Sequence, residues 1–192
     1  KPRFVDFEKD MTKAEMSNGL PVLYKKNTTD GLFNLSFVYD YGTENVRGLN
    51  LVADYLNYIG TDKRTSAEIK QEFYKLACNY NISIGDNRTT ISLSGLHENM
   101  EQALALLEDI IGNAKGDKES YDKLVGMLIK AREDAKSSQR SSFNALRQYA
   151  IYGPYNSQRN TLSEKELRAG TPDMLTDMLK PFGELKHTNK LS

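Results

Sequence analysis

Few side chains in this sequence have the chemistry of a catalytic or metal site, and they do not form a known catalytic spacing. The chain holds two histidines, His97 and His187, and one cysteine, Cys78. A single cysteine excludes an internal disulfide and every multi-cysteine zinc or iron–sulfur site, and two distant histidines exclude a His-rich metal centre. No G-x-S-x-G, P-loop or Cys/His arrangement is present. The remaining candidate is a carboxylate, Asp54, which lies in a helical pattern.

Each of these side chains also has a simple structural interpretation. His97 stands at a strand-to-helix junction, where we expect it to be solvated or to cap the helix. His187 lies in a polar tail, where we expect a loop role. Cys78 follows the apolar Leu76 and Ala77 near a helix end, which favours a small buried hydrophobe, with a reactive thiol as the alternative.

The composition excludes two classes of protein. The chain has 192 residues, with 26 Lys+Arg against 26 Asp+Glu, so its formal net charge is zero. Nucleic-acid-binding domains normally carry a basic excess, so no nucleic-acid partner is expected. No apolar run approaches the roughly 18–20 residues of a membrane-spanning helix, so no membrane span is expected either.

Hydrophobic periodicity predicts the elements that must position these residues. A turn signal at 18–21 indicates a short strand over 22–26, and a period of two indicates strands over 32–41, 80–84 and 89–94. A period of 3.6 indicates helices over 46–59, 66–79, 98–113 and 140–152. A long helix capped by Asp117 or Ser120 runs through Ala135 and ends near Ser137, and further short helices follow after 163.

This order of elements predicts the fold class. Strands that come in pairs and helices that come in blocks are typical of an α+β protein with a mainly antiparallel sheet and helices packed on one face. We expect one unit over 1–192, with an N-terminal extension over 1–17 and a tail over 186–192. Because the apolar spacing of the tail does not resolve into a strand, we also expect truncation before a last strand of the sheet.

A spacing of glycine, leucine, threonine and arginine at the first helix is the most specific pattern in the sequence. Its members are Gly48, Leu49, Leu56, Gly60, Thr61, Arg64 and Thr65. The pattern resembles the motif G-L-x-H-x-x-E-H-x-L-x-x-G-T-x-x-R-[ST] of the pitrilysin/insulinase metallopeptidases, the inverzincins. In that family two histidines and a downstream glutamate bind zinc, and the glutamate of the motif is the general base.

The positions of this motif that carry the chemistry are altered here. Leu51 occupies the first histidine position, Asp54 that of the general base and Tyr55 that of the second histidine. The third ligand of the family corresponds to Arg132 or Glu133. Leucine has no donor atom, and a phenol with a pKa near 10 is a poor zinc ligand at neutral pH. The resemblance implies no catalytic residue, metal or cofactor in this chain, and we expect Asp54 and Tyr55 to lie on the solvated side of the helix rather than form a relic site.

Pairs of tyrosines could also contribute to a peptide-binding wall. They are Tyr39 and Tyr41, Tyr55 and Tyr58, and the group Tyr149, Tyr152 and Tyr155. The alternative is that they are contacts of the sheet and helices, with one polar tip in water.

Members of the family are built from homologous halves, of which only one carries the zinc motif. The resemblance implies that this chain is the other, a half-domain without activity of its own. It would pack against a zinc-bearing half, in the same chain or in a sister subunit, and enclose peptide substrates. Two alternatives are a scaffold like the core subunits of the respiratory cytochrome complex, and a hydrolase with another constellation, which no motif supports. The family occurs in mitochondria, cytosol and bacterial periplasm, and a periplasmic or cell-envelope setting is our working expectation.

Overall fold

A six-stranded sheet forms one layer of the molecule. The computed structural model describes residues 12–15, 21–24 and 31–191. The strands are β1 (Thr12–Glu15), β2 (Pro21–Tyr24), β3 (Leu32–Tyr39), β4 (Gly60–Thr61), β5 (Cys78–Ile84), β6 (Thr89–Leu96), β7 (Ala114–Lys115) and β8 (His187–Leu191). The sheet has the order β1-β2-β8-β3-β6-β5, and β4 pairs with β7 separately. Among the described strands, β2 and β8 run parallel and the other pairs are antiparallel.

The helices form the second layer. They are α1 (Leu51–Tyr55), α2 (Ser66–Lys75), α3 (Met100–Asn113), α4 (Lys118–Ser137), α5 (Gln139–Tyr152), α6 (Glu164–Ala169) and α7 (Pro172–Asp177). The α+β prediction is confirmed. No helix within the described ranges is long and apolar enough to cross a membrane.

The alternation of residues along β3 and β6 explains why one face of the sheet is covered. Phe33 and Leu35 of β3 and Ile91 and Leu93 of β6 point into the core formed with the helices. On the opposite face, Asn34 lies between the first pair and Ser92 between the second, and the hydroxyls of Ser36 and Ser92 lie 3.3 Å apart. A sheet covered on one side gives this alternation of apolar and polar residues.

The first helix is much shorter than predicted. The sequence pattern predicts a helix over 46–59, but α1 spans only Leu51–Tyr55, between turns. Gly48 has a φ of +79°, which a right-handed helix cannot contain. The amides of Leu49, Leu51 and Val52 bond to carbonyls three residues earlier, so these residues form tight turns. The apolar spacing continues through those turns, and this explains the overestimate.

Both ends of the chain contribute strands, which corrects two predictions. The tail predicted over 186–192 contains β8, which lies between β2 and β3 and pairs with both. The extension predicted over 1–17 contains β1, which pairs with β2. The sequence His187–Leu191 has little apolar character. Its place in the sheet depends instead on pairing with strands that are far away in the chain. Local periodicity does not detect such a strand.

Candidate functional site

The three motif positions on α1 point in different directions. Leu51 and Tyr55, four residues apart, lie on the same face of the helix and are buried, Tyr55 completely. Asp54 is exposed. The expectation of a solvated position therefore holds for Asp54 and is wrong for Tyr55. The two former ligand positions belong to the core, and the carboxylate points away from them.

The hydroxyl of Tyr55 connects the start of α4 with the start of α7. It donates a hydrogen bond to the carbonyl oxygen of Pro172 at 2.9 Å, and the carbonyl oxygen of Asp117 lies 3.4 Å away. Its ring meets that of Tyr121 edge to face, with 6.0 Å between the centroids. The neighbouring Gly116 has no room for a Cβ, which would overlap the Pro172 carbonyl and lie 2.7 Å from the Tyr55 hydroxyl. The side chain of Tyr55 therefore has a structural role.

The protonation state of Tyr55 also makes it unsuitable as a metal ligand. Burial, and after it the nearby carboxylate of Asp117, raises the pKa of Tyr55 to about 12. The neutral phenol donates its proton to a backbone carbonyl, and a buried phenolate beside a carbonyl oxygen would lose that bond. At neutral pH this oxygen is a hydrogen-bond donor.

We expect Tyr55→Phe to lower the free energy of unfolding by about 1–2 kcal/mol at pH 7, because the Pro172 carbonyl loses its donor. The pKa of Tyr55 in the folded state lies above its ordinary value of 10.0, so the contribution of Tyr55 to stability is present below pH 10 and is lost as pH rises towards about 12. The difference in the free energy of unfolding between wild type and variant should therefore become smaller between pH 10 and about 12. Denaturant unfolding at a series of pH values measures it. Tyr74→Phe, at an exposed tyrosine, is the control; a gap that widens with pH would contradict the assignment.

The position of the third ligand does not complete a metal site. Arg132 and Glu133 lie near the end of α4, and Glu133 is exposed. Within the residues that the structure describes, no three His, Cys, Asp or Glu side chains are grouped so that they could hold a metal ion. With an aliphatic side chain at 51 and a hydrogen-bonded neutral phenol at 55, these residues do not fit zinc.

The frame of the motif, by contrast, has structural roles throughout. The Arg64 guanidinium contacts the carboxylates of Asp109 and Glu72, each at 3.0 Å. The hydroxyl of Thr61 donates to Asp109 at 3.2 Å. Partial burial opposes ionisation of Asp109, but hydrogen bonds from Asn113 and Thr61 and the charge of Arg64 keep its pKa below the ordinary value. These contacts join β4 to α2 and α3.

The start of α2 is fixed by a capping box. Thr65 accepts a bond from the backbone of Glu68, and the Glu68 carboxylate accepts from the Thr65 amide at 2.8 Å. Thr65 and Glu68 have the spacing of a capping box, a signal that the prediction of a helix over 66–79 did not use. The threonine of the motif therefore begins a helix and needs no role in chemistry.

A second polar cluster, which the sequence analysis missed, holds the loop before α1. Arg47 binds both carboxylate oxygens of Glu166, at 3.1 and 3.2 Å, and the backbone carbonyls of Arg159 and Thr161. Hydrogen bonds from Ser163 and then from Arg47 lower the pKa of Glu166 to about 2. The partners are more than 110 residues apart in the chain, so only the capping pattern of Ser163 and Glu166 was detectable locally.

Within the described part of the chain, the histidines and the cysteine belong to no group of side chains that could hold a metal ion. His97 is exposed, as expected. His187 is not in a loop: its ring packs in β8 against Tyr39, with centroids 4.9 Å apart, because its strand lies beside β3. Cys78 is buried and its thiol lies 3.3 Å from the Leu76 carbonyl, and burial raises the pKa of the thiol. This agrees with a small buried hydrophobe.

The predicted tyrosine wall divides into buried and exposed parts. Tyr39 and Tyr55 are core residues. The exposed part belongs to α5 and the turn after it, where six large apolar side chains face solvent. We name this group the α5 patch: Phe143, Leu146, Tyr149, Ile151, Tyr152 and Tyr155.

Comparisons by sequence and by structure point to the same family of proteins. The sequence model of the insulinase family, peptidase family M16, matches residues 40–164. No curated protein matches the chain by sequence. The Escherichia coli periplasmic protease PqqL is similar in structure, with a TM-score of 0.79 and 15% identity, over 97% of this chain and 21% of that one.

Two further solved structures share the fold. A peptidase M16 inactive domain from Pseudomonas fluorescens has a TM-score of 0.75 and 17% identity, over 94% of this chain and 46% of that one. A mutant of the ferredoxin protease FusC, in complex with Arabidopsis ferredoxin, has a TM-score of 0.80 and 13% identity, over 96% of this chain and 21% of that one. The chain therefore spans less than half the length of each of these three solved chains.

Proposed function

The chain belongs to the insulinase family of peptidases, family M16, and we propose that it is a non-catalytic half-domain of a zinc metallopeptidase. In this proposal it packs against a zinc-bearing half, in the same chain or in a sister subunit, and helps to enclose and position peptide substrates. The similar inactive domain from Pseudomonas fluorescens supports the existence of such domains in the family.

The state of the motif helix is the observation that carries this proposal. Leu51 and Tyr55 are buried in the core, and the Tyr55 hydroxyl is bonded to the Pro172 carbonyl. A zinc ion at this place would need imidazoles or carboxylates in their stead. The frame around these positions fixes β4, α2 and α3 instead, so the fold persists although the ligand set is absent.

What the chain can supply is a surface for substrate. Burying an extended peptide between two halves excludes water and fixes its backbone relative to the reacting group, which can contribute several orders of magnitude in rate, on the order of 10⁵ or more in effective molarity. Among the described residues, the α5 patch is an exposed surface that fits this role. The chemistry itself would belong to the other half.

The metal content of the purified chain tests this proposal. After treatment with a chelator, dialysis and incubation with zinc, we expect no stoichiometric zinc in the protein by elemental analysis. One equivalent of tightly bound zinc would refute the proposal. A known family member with an intact motif, treated in the same way, is the positive control.

A further inference from the structure

The α5 helix has its apolar side turned outwards. Of the nine large hydrophobic side chains that the described residues expose, six form the α5 patch, with exposed fractions between 58% and 77%. No residue of α5 is buried, and its half-buried residues, Ser141 and Gln148, are polar. Contiguous exposed apolar side chains of this kind mark an interaction surface.

The same part of the chain carries positive charge without any negative charge. No aspartate or glutamate occurs from residue 135 to 163, whereas the whole chain has equal numbers of acids and bases. The cations of this stretch are Lys136, Arg140, Arg147 and Arg159, and Arg159 pairs with Glu44. The described residues place no carboxylate within 4 Å of the exposed guanidinium of Arg140 or Arg147.

Helical spacing brings the cations and the apolar groups together. Arg140, Phe143, Arg147 and Ile151 follow one another at intervals of three and four residues, so they line one face of α5. Leu146 lies beside Phe143 on the same outward side. The result is a strip in which cations alternate with apolar side chains.

We propose that the α5 patch binds extended acidic peptide segments in which carboxylates alternate with apolar or aromatic side chains. The inference rests on the proposed function and names the class of substrate segment that this half selects. Arg140 and Arg147 bind the carboxylates, while Phe143, Leu146 and Ile151 contact the apolar side chains. Charge complementarity decides the preference, because lysine-rich segments would place like charges together on this face.

Two other binding partners fit this face of α5 less well than an acidic peptide. A second copy of the chain, packed symmetrically through the same patch, would bring the guanidinium groups of both copies together without a carboxylate between them. Single-stranded nucleic acid would supply negative charge and bases for the aromatic rings, but its affinity depends on many cations along the backbone, and the chain has no net positive charge.

The test uses three fluorescent, unstructured peptides of equal length and identical apolar residues, whose intervening positions are all Asp/Glu, all Asn/Gln or all Lys. Binding to the full chain is followed by anisotropy at low and at physiological salt. We expect the acidic peptide to bind about tenfold more tightly than the amide peptide at low salt, and the lysine peptide most weakly. Raising the salt should reduce the difference between the acidic and amide peptides.

Substitutions separate the charge from the apolar contacts. The double variant Arg140→Gln/Arg147→Gln should lose the preference for the acidic peptide while its affinity for the amide peptide stays the same. Leu146→Ser should weaken binding of both peptides. Tyr74→Ala/Lys75→Gln, at exposed positions of α2, is the matched control and should change neither affinity.

Four outcomes would overturn the inference: equal affinity for the acidic and amide peptides, no effect of the α5 variants, tighter binding of single-stranded oligothymidine than of the acidic peptide, or a dimer that Leu146→Ser dissociates. These results leave the proposed function intact, because they concern binding. Failure of the proposed function would appear instead as stoichiometric zinc or as cleavage by the chain alone.

Discussion

Restoring the residues of the family motif is expected to unfold this chain rather than to create a peptidase. In the triple variant Leu51→His/Asp54→Glu/Tyr55→His, two imidazoles enter a close-packed core. Leu51 is 6% exposed and Tyr55 is fully buried. Replacing them removes apolar contacts, buries polar groups and leaves the Pro172 carbonyl without its donor. We expect the free energy of unfolding to fall by about 5 kcal/mol or more. A typical protein has a free energy of unfolding of roughly 5–15 kcal/mol, so this loss is enough to unfold the chain.

The single variant Asp54→Glu is the control for the triple variant, because it changes a motif position that lies outside the core. Asp54 is exposed, so the free energy of unfolding of this variant should differ from that of wild type by about 0.5 kcal/mol or less. Circular dichroism and denaturant unfolding measure both variants. A triple variant with the stability of wild type would contradict the account, because positions 51 and 55 would then tolerate ligands as in a catalytic half.

Replacing Gly60, the second glycine of the motif frame, is expected to have the other large effect on stability. A Cβ on Gly60 would overlap the carbonyl oxygen of Arg64, which accepts a hydrogen bond from the Thr61 amide at 2.8 Å. Backbone cannot move aside as a flexible side chain can. We expect Gly60→Ala to cost about 3 kcal/mol, the upper part of the range for overpacking, and to lower Tm by about 10 °C.

Gly126→Ala is the matched control for Gly60→Ala. Gly126 lies inside α4 with nothing within 4 Å of an added Cβ. Alanine there should raise stability by about 0.5–1 kcal/mol, because it is the better helix former. Thermal unfolding of both variants gives opposite signs in this account, and equal shifts would mean that the turn at Gly60 is not fixed as described.

The sequence could predict the elements whose periodicity is local. The strand at Leu32–Tyr39 and the helix at Met100–Asn113 are close to their predicted ranges, because their apolar faces are continuous in the chain. The strand at His187–Leu191 could not be recognised in this way. It is held by hydrogen bonds to β2 and β3, whose residues are distant in sequence.

The burial of Tyr55 was partly predictable. Leu51, Val52, Tyr55, Leu56 and Ile59 form an apolar stripe at helical spacing, and all five are buried. The hydroxyl partner Pro172 could not be predicted, because it lies 117 residues further along the chain.

The outward apolar face of α5 was not predictable from the sequence either. Periodicity predicted the helix over 140–152, close to the observed Gln139–Tyr152. It does not tell which side of a helix faces the rest of the protein. Only the structure shows that Ser141 and Gln148 face inwards while Phe143 and Leu146 face solvent.

We propose that this chain has no peptidase chemistry of its own, and a time course of peptide cleavage tests this proposal. The pure chain is incubated with unstructured peptides and zinc, with and without chelator, and the products are followed by mass spectrometry. Without imidazole ligands at 51 and 55 we predict no turnover, and no difference between the samples with and without chelator. Chelator-sensitive turnover by the isolated chain would contradict the account.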